Sequence, residues 1–426
     1  MSRRTALAVW LQSRIAQSAM EPVMTKDNLP MTQVEFIALC AMMFSTIAFS
    51  IDAMLPALPE IAAELSPDAP TRATLIITSF VMGMGLGTFF TGPLSDRFGR
   101  KPVLIGGALL FSLCAFIGWQ SQTLELVLLA RFFQGVGAAG PRIATLAIVR
   151  DLFAGREMAR IMSFSMMIFT LVPAVAPAMG ALIIDLSSWR GIFAAFIVFS
   201  VISMLWVGLR LPEPLAVENR RPFSFANLMS GVREMWAIPA VRTSMLVQSL
   251  IFAALFAMIS SVQPIYAQTF DRADQFPIWF AAIALFSGSA SFINAKLVMV
   301  LGMRYLVTVA IAAQAVFALV MIAASTTPDI SIQFTAFVIW QSGVFFTIGM
   351  TIGNLNAMAM EPLGHMAGTA ASVMGAISTI LGGLLATPIG LAFDGTPFPM
   401  AIALFALAVV SFAMMLHMRR LEAQPA

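Results

Sequence analysis

Three charged side chains stand inside long apolar runs of this sequence: Asp52, Arg131 and Arg142. On insertion scales a charge in a membrane-spanning helix costs about 2.5–3.5 kcal/mol, so such residues default to a functional reading. An enclosed carboxyl can take up and release a proton. Burial favours its neutral form and a neighbouring guanidinium its ionised form. A movement that alters either influence would convert proton binding into motion, with Asp52 carrying the proton and Arg131 supplying the counter-charge. The competing reading is a permanent ion pair that only fixes helix packing. Arg142 follows Arg131 by eleven residues, about 1100° of helix, so the two bases share one face. Gln134 lies near the same stripe. Arg142 then reads as an anion contact or inner proton relay, unless its stem only snorkels to the boundary.

A second concentration of charge lies in GPLSDRFGRKPVLIGG, beginning at Gly92. Asp96, Arg97, Arg100 and Lys101 fall within six residues between two apolar runs. Gly92 and Gly99 permit a tight turn or close backbone approach. Asp96 ends one helix within reach of the bases opening the next, and an acid there also faces a helix N-terminus. The cluster reads as an inner-side latch favouring the outward-facing state. The plainer alternative is a basic anchor on the cytoplasmic side.

Elements must hold these residues in place. The chain has 426 residues, 59% hydrophobic and 11% charged, with a mean hydropathy of +0.90. That composition excludes a soluble protein of this length. Apolar runs long enough to span a bilayer recur at 34–57, 72–94, 102–121, 124–149, 161–184 and 190–210. Six more lie at 241–268, 276–300, 304–325, 331–355, 361–391 and 397–418. The fold class is therefore an all-α membrane protein with twelve transmembrane helices in two six-helix halves, 34–210 and 241–418. A linker at 211–240, carrying one short amphipathic helix, joins them between tails at 1–33 and 419–426. Most Lys and Arg residues fall on one set of links, and only Arg72, Arg190 and Arg272 on the other. The positive-inside bias puts both termini and the linker in the cytoplasm. The first helix then runs outward and the fourth inward, bringing Asp52 and Arg131 to similar depth, roughly 7–10 Å from the outer boundary. Pro173, Pro177 and Gly180 share one face of the fifth helix, where lost donors permit bending. Trp189 and Arg190 read as interfacial anchors.

Gly92, Leu94, Ser95, Asp96, Arg97, Gly99, Arg100 and Lys101 together resemble the loop signature of the major facilitator superfamily, which joins the second and third helices there as here. NAKLVMVLGMR in the second half is similar to its degenerate copy. Gly302 and Arg304 stand 203 residues after Gly99 and Lys101, with Met299 in place of Asp96. This repeat supports two pseudo-symmetric halves. RFFQGVGAAGPR from Arg131 resembles the fourth-helix motif of proton-coupled members. SIDAMLPALPEI from Ser50 resembles the end of the first helix in drug exporters. LVPAVAPAMGAL from Leu171 and AGTAASVMGAISTILGG resemble the bicyclomycin/chloramphenicol-resistance branch, although Ala176 and Ala181 replace the glycines usual in the antiporter motif.

The resemblance implies an inner-membrane multidrug exporter that exchanges small, largely apolar compounds for protons by alternating access. Its partners are a drug-like substrate, protons and the bilayer, with no nucleic acid, and it functions as a monomer. A proton-coupled transporter of a sugar, amino acid or organic acid is the alternative. The residues offer no enzyme constellation, cofactor site or metal site. His365 and His417 are far apart, and Cys40 and Cys114 lie singly in apolar runs. MGMGLG at Met82 has no strand before it and reads as a helix-packing run. Thirty-five Phe and 31 Met suit either an adaptable cavity or ordinary membrane filler.

Overall fold

In the computed structural model residues 29–423 are described. The tail at 1–33 lies mostly outside them, as do the last three residues of the chain. Among the described residues, twelve helical segments are long and apolar enough to cross a membrane, and strands are absent. The helices are α1 (Gln33–Asp52), α2 (Leu58–Leu65), α3 (Leu75–Phe98), α4 (Arg100–Gln120), α5 (Leu124–Leu152), α6 (Gly155–Leu186) and α7 (Trp189–Arg210). After them come α8 (Phe225–Ala237), α9 (Pro239–Pro264), α10 (Phe276–Leu301), α11 (Met303–Ala324), α12 (Ile330–Met360), α13 (Ala367–Leu391) and α14 (Phe398–Ala423). Six spans precede the short linker helix α8 and six follow it.

The first span differs from its expected bounds. It runs from Gln33 to Leu65, because a 3-10 turn at Leu55–Ala57 and the helix α2 continue past residue 57. Pro56 explains why α1 stops where it does. An uninterrupted helix would pair the Asp52 carbonyl with the amide of residue 56, and proline has none. Asp52 is thus the last residue of α1, at a break inside the span. Leu65 lies thirteen positions further on, about 20 Å of helix at 1.5 Å per residue, so Asp52 lies well inside the span and not at its end. The tenth span is also longer than expected, 330–366, because 3-10 turns at Glu361–Met366 extend α12.

Close helix packing accounts for the glycine run at Met82. A Cβ on Gly83 would fall 1.7 Å from the Phe132 carbonyl oxygen, and one on Gly135 would fall 2.0 Å from that of Phe80. These glycines let α3 and α5 touch backbone to backbone, as small residues do between membrane helices.

The halves meet along α3 with α13 and along α6 with α10. Their apolar cores are distributed unevenly. Around Leu55, Leu124, Phe193, Phe256, Phe270 and Phe337, one continuous core includes both halves. At the opposite ends the halves keep separate cores, one around Phe36, Leu39, Ile148 and Leu211, the other around Met235, Met245, Val373 and Met415. The end that holds α2 is therefore packed shut.

Candidate functional site

Asp52 is buried, with 5% of its surface accessible, and Arg131 is fully enclosed. The two lie on α1 and α5, as expected, but they do not form an ion pair. Arg131 Nη1 donates to Ser50 Oγ at 2.9 Å and to Gln134 Oε1 at 2.6 Å, while Nη2 donates to the Ser50 carbonyl at 2.9 Å. Its guanidinium also stacks over Phe80, 4.3 Å from the ring centroid. Arg131 thus grips α1 two residues before Asp52. Among the described residues, no ion pair or hydrogen bond engages the Asp52 carboxyl. The guanidinium spends its donors on Ser50 and Gln134 and gives none to the acid two residues further along α1. A permanent Asp52–Arg131 pair, the plainer reading of these residues, is not present.

The fifth-helix motif packs on this break. Pro177, Ala176 and Gly180 are buried, and a Cβ on Gly180 would stand 2.2 Å from the Ala53 carbonyl oxygen. Glycine is what allows α6 to approach the backbone beside Asp52. Pro173 lies half-buried on the same face. Arg142 stands ten residues before the end of α5, with an exposed side chain. Eleven residues after Arg131 on the same helix, it shares the face of Arg131 and Gln134.

The charged link assembles on one half. Arg100 pairs with Asp96 at 2.5 Å and with Asp151 at 2.9 Å, and its Nη1 donates to Ser95 Oγ. Gly99 turns the chain at φ +105°, a region that favours glycine. Glu213, from the linker, accepts the backbone N–H groups of Arg100 at 2.9 Å and Lys101 at 3.0 Å, covering donors that α4 leaves open. Lys101 Nζ donates to the Gly208 carbonyl and the Arg221 amide to the Asp96 carbonyl. Arg97, expected in the latch, instead points outward and lies over Phe98. Gly92 faces Ser372 on α13. Gly302 repeats the positive-φ turn at +80° in the second half, but nothing crowds it. The exposed Met299 there provides no acid.

Several polar residues escaped the sequence reading. Asp151 and Glu213 complete the charged link from afar in sequence. In the second half Tyr266 Oη donates to Gln341 Oε1 at 3.2 Å. Gln341 Nε2, Trp340 Nε1 and Gln263 Oε1 are buried without hydrogen-bond partners, and Gln134, expected near the Arg131 stripe, likewise leaves its Nε2 unpartnered. Their signal was an amide or indole within an apolar run. Trp189 and Arg190 correct another expectation: Trp189 is buried, not interfacial. Its indole donates to Glu64 at 2.7 Å, and Arg190 pairs with the same carboxylate at 2.7 Å.

Twelve spans in two halves, a shared core closing one end and buried charge at a helix break define a multi-pass membrane transporter. Residues 37–387 match the Major Facilitator Superfamily, and the chain belongs to it. The family consists of transporters, so this chain is one and is not an enzyme. It is 29% identical to the bicyclomycin resistance protein homolog of Haemophilus influenzae, over 85% of this chain and 90% of that one. It is 30% identical to the uncharacterized MFS-type transporter YdgK of Bacillus subtilis, over 85% and 89%. It is 27% identical to the multidrug resistance protein MdtL of Escherichia coli, over 76% and 80%. The resemblance to the bicyclomycin/chloramphenicol-resistance branch therefore holds. Among solved structures, a D-xylose-proton symporter superposes with a TM-score of 0.70 at 12% identity, covering 89% of this chain and 97% of that one. The human organic anion transporter MFSD10 superposes with a TM-score of 0.64 at 14% identity, covering 90% and 100%. At these identities the likeness is one of fold.

Proposed function

We propose that this transporter exports small, largely apolar toxic compounds in exchange for inward-moving protons, and that Asp52 carries the proton. It works as a monomer in the inner membrane with both termini cytoplasmic. The halves 34–210 and 241–418 rock about the central site, and the linker 211–240 joins them. The observation that carries this reading is the Asp52 carboxyl, buried at the break in the first span without a salt-bridge partner. An unpaired acid there is held ionised by no neighbour, so proton occupancy can follow the shape of the bundle. Arg131 acts at one remove, orienting the α1 backbone through Ser50.

Pro177 and Gly180 hold α6 against that break and seal the outer end while the proton is carried. The Asp96–Arg100–Asp151 cluster ties the inner ends of α3, α4 and α5 to the linker, so the first half moves as one piece. Arg142 and the unpartnered amides on α5, α9 and α12 meet polar groups on the substrate. Resistance-protein relatives support a drug-like substrate over a metabolite.

The energetics suffice. One proton crossing 100 mV releases about 2.3 kcal/mol, which sustains roughly a fifty-fold gradient of a neutral compound. Efflux of chloramphenicol from energised cells tests the assignment. Asp52→Asn should abolish proton-driven export while the purified variant still binds the drug. Wild-type export by that variant would place the coupling group elsewhere.

A further inference from the structure

The linker helix α8 carries more apolar surface than the protein covers. Leu228, Gly231 and Met235 are buried, with Gly231 against Met366 and Thr369 beside the start of α13. Phe225, Met229 and Trp236 are 52%, 38% and 44% exposed. With Val232, which is half-buried against the second-half core, they follow one another at steps of four, three and four residues, one stripe on a helix. At 3.6 residues per turn this stripe is centred about 100° from the buried one. Asn227, Ser230 and Glu234 fill the remaining side. The apolar arc is thus continuous, and only half of it is packed.

Connectivity fixes where the open half lies. Only Ile238 separates α8 from Pro239, the first residue of a span, so Trp236 stands at the membrane face. Residues 220–242 hold four arginines, Arg220, Arg221, Arg233 and Arg242, against the single acid Glu234. That acid is engaged by His365 Nε2 at 2.9 Å. Arg242 donates to the Trp236 carbonyl at the end of α8. Arg233 is exposed and borders the apolar stripe. Apolar side chains flanked by arginine at a membrane face complement the leaflet itself, with acyl chains for the stripe and phosphate for the guanidinium.

We propose that α8 is an interfacial helix seated in the leaflet, with Phe225, Met229 and Trp236 among the acyl chains. Arg233 holds anionic headgroups. Such helices sink about 5–10 Å into the headgroup boundary. Lipid then holds the linker down on one side while Gly231 and Glu234 hold the turn that opens α13 on the other. Headgroup charge thereby bears on the contact between the halves.

Spin labels at Met229→Cys and, on the opposite side, Asn227→Cys test this in the full chain. The native cysteines Cys40 and Cys114 are buried. The protein is placed in phosphatidylcholine nanodiscs with or without phosphatidylglycerol, and collisions with oxygen and with a water-soluble nickel complex are compared. The label at 229 should be several-fold more shielded from nickel than the label at 227. Phosphatidylglycerol should deepen that shielding, and Arg233→Gln should cancel the increment. Equal nickel access at the two positions would overturn the proposal, because the stripe would then face water or a soluble partner. Shielding at 229 that ignores phosphatidylglycerol would overturn the headgroup assignment.

Discussion

Replacing Gly180 by alanine adds one methyl group where α6 meets the broken first span. That Cβ would lie 2.2 Å from the Ala53 carbonyl oxygen, 3.0 Å from its carbonyl carbon and 3.2 Å from its Cα. All three are backbone atoms, so no side chain can swing aside. Ordinary van der Waals contact begins near 3.4 Å, so the helices must part by about 1 Å or distort. Overpacking of this kind costs about 1–3 kcal/mol. If the contact exists only while the outer end is shut, that cost shifts the open-to-shut ratio by roughly five- to 150-fold. Thr74 is a suitable reporter, since it is buried at the shut end with its hydroxyl facing Gly390 of the other half. In a Thr74→Cys background, a membrane-impermeant thiol reagent added outside should label the Gly180→Ala protein at least five-fold faster. Proteoliposomes of the same variant should leak protons without substrate. Unchanged labelling together with unchanged coupling would refute the idea that this contact seals the transporter.

Glu213→Gln weakens the cover on the Arg100 and Lys101 amides and should lower the melting temperature, the loss amounting to about 1 kcal/mol; it should leave drug binding intact in an equilibrium binding assay. Asp151→Asn removes one of the two carboxylates on the buried Arg100 and should be more damaging than Arg97→Gln, whose side chain already faces outward; transport in cells ranks the two. Arg131→Lys should fail to restore efflux after Arg131→Ala, because one ammonium cannot span the Ser50 hydroxyl, the Ser50 carbonyl and Gln134 as the guanidinium fork does. Arg142→Gln should weaken binding of substrates with anionic or strongly accepting groups about ten-fold, and purely apolar ones little, in a ligand series measured on purified protein.

The spans were legible because their apolar runs are long and their links charged. Boundaries failed where polar residues belong to a helix end. Glu60 and Glu64 disguised α2, although Glu64 is occupied by Trp189 and Arg190. Depth counting put Asp52 level with Arg131, yet counting along an axis says nothing about direction around it, so the Ser50 grip was out of reach. The charged link displayed Asp96 and Arg100 side by side. Asp151 and Glu213 lie 51 and 113 residues from Arg100, and only the packing of α5 and the return of the linker bring them in. The unpartnered glutamines and Trp340 were visible as polar groups in apolar runs, but their lack of partners is a property of the folded bundle alone.

The central claim concerns the Asp52 carboxyl, and proton movement tests it most directly. Purified protein is reconstituted in vesicles with a pH-sensitive dye in the lumen, without any imposed gradient, and a substrate gradient is applied. The wild type should move protons opposite to the drug, reversing when the gradient is reversed. Asp52→Asn should move none while the drug still binds. Drug movement that carries protons equally in both proteins, or carries none in the wild type, would contradict the account.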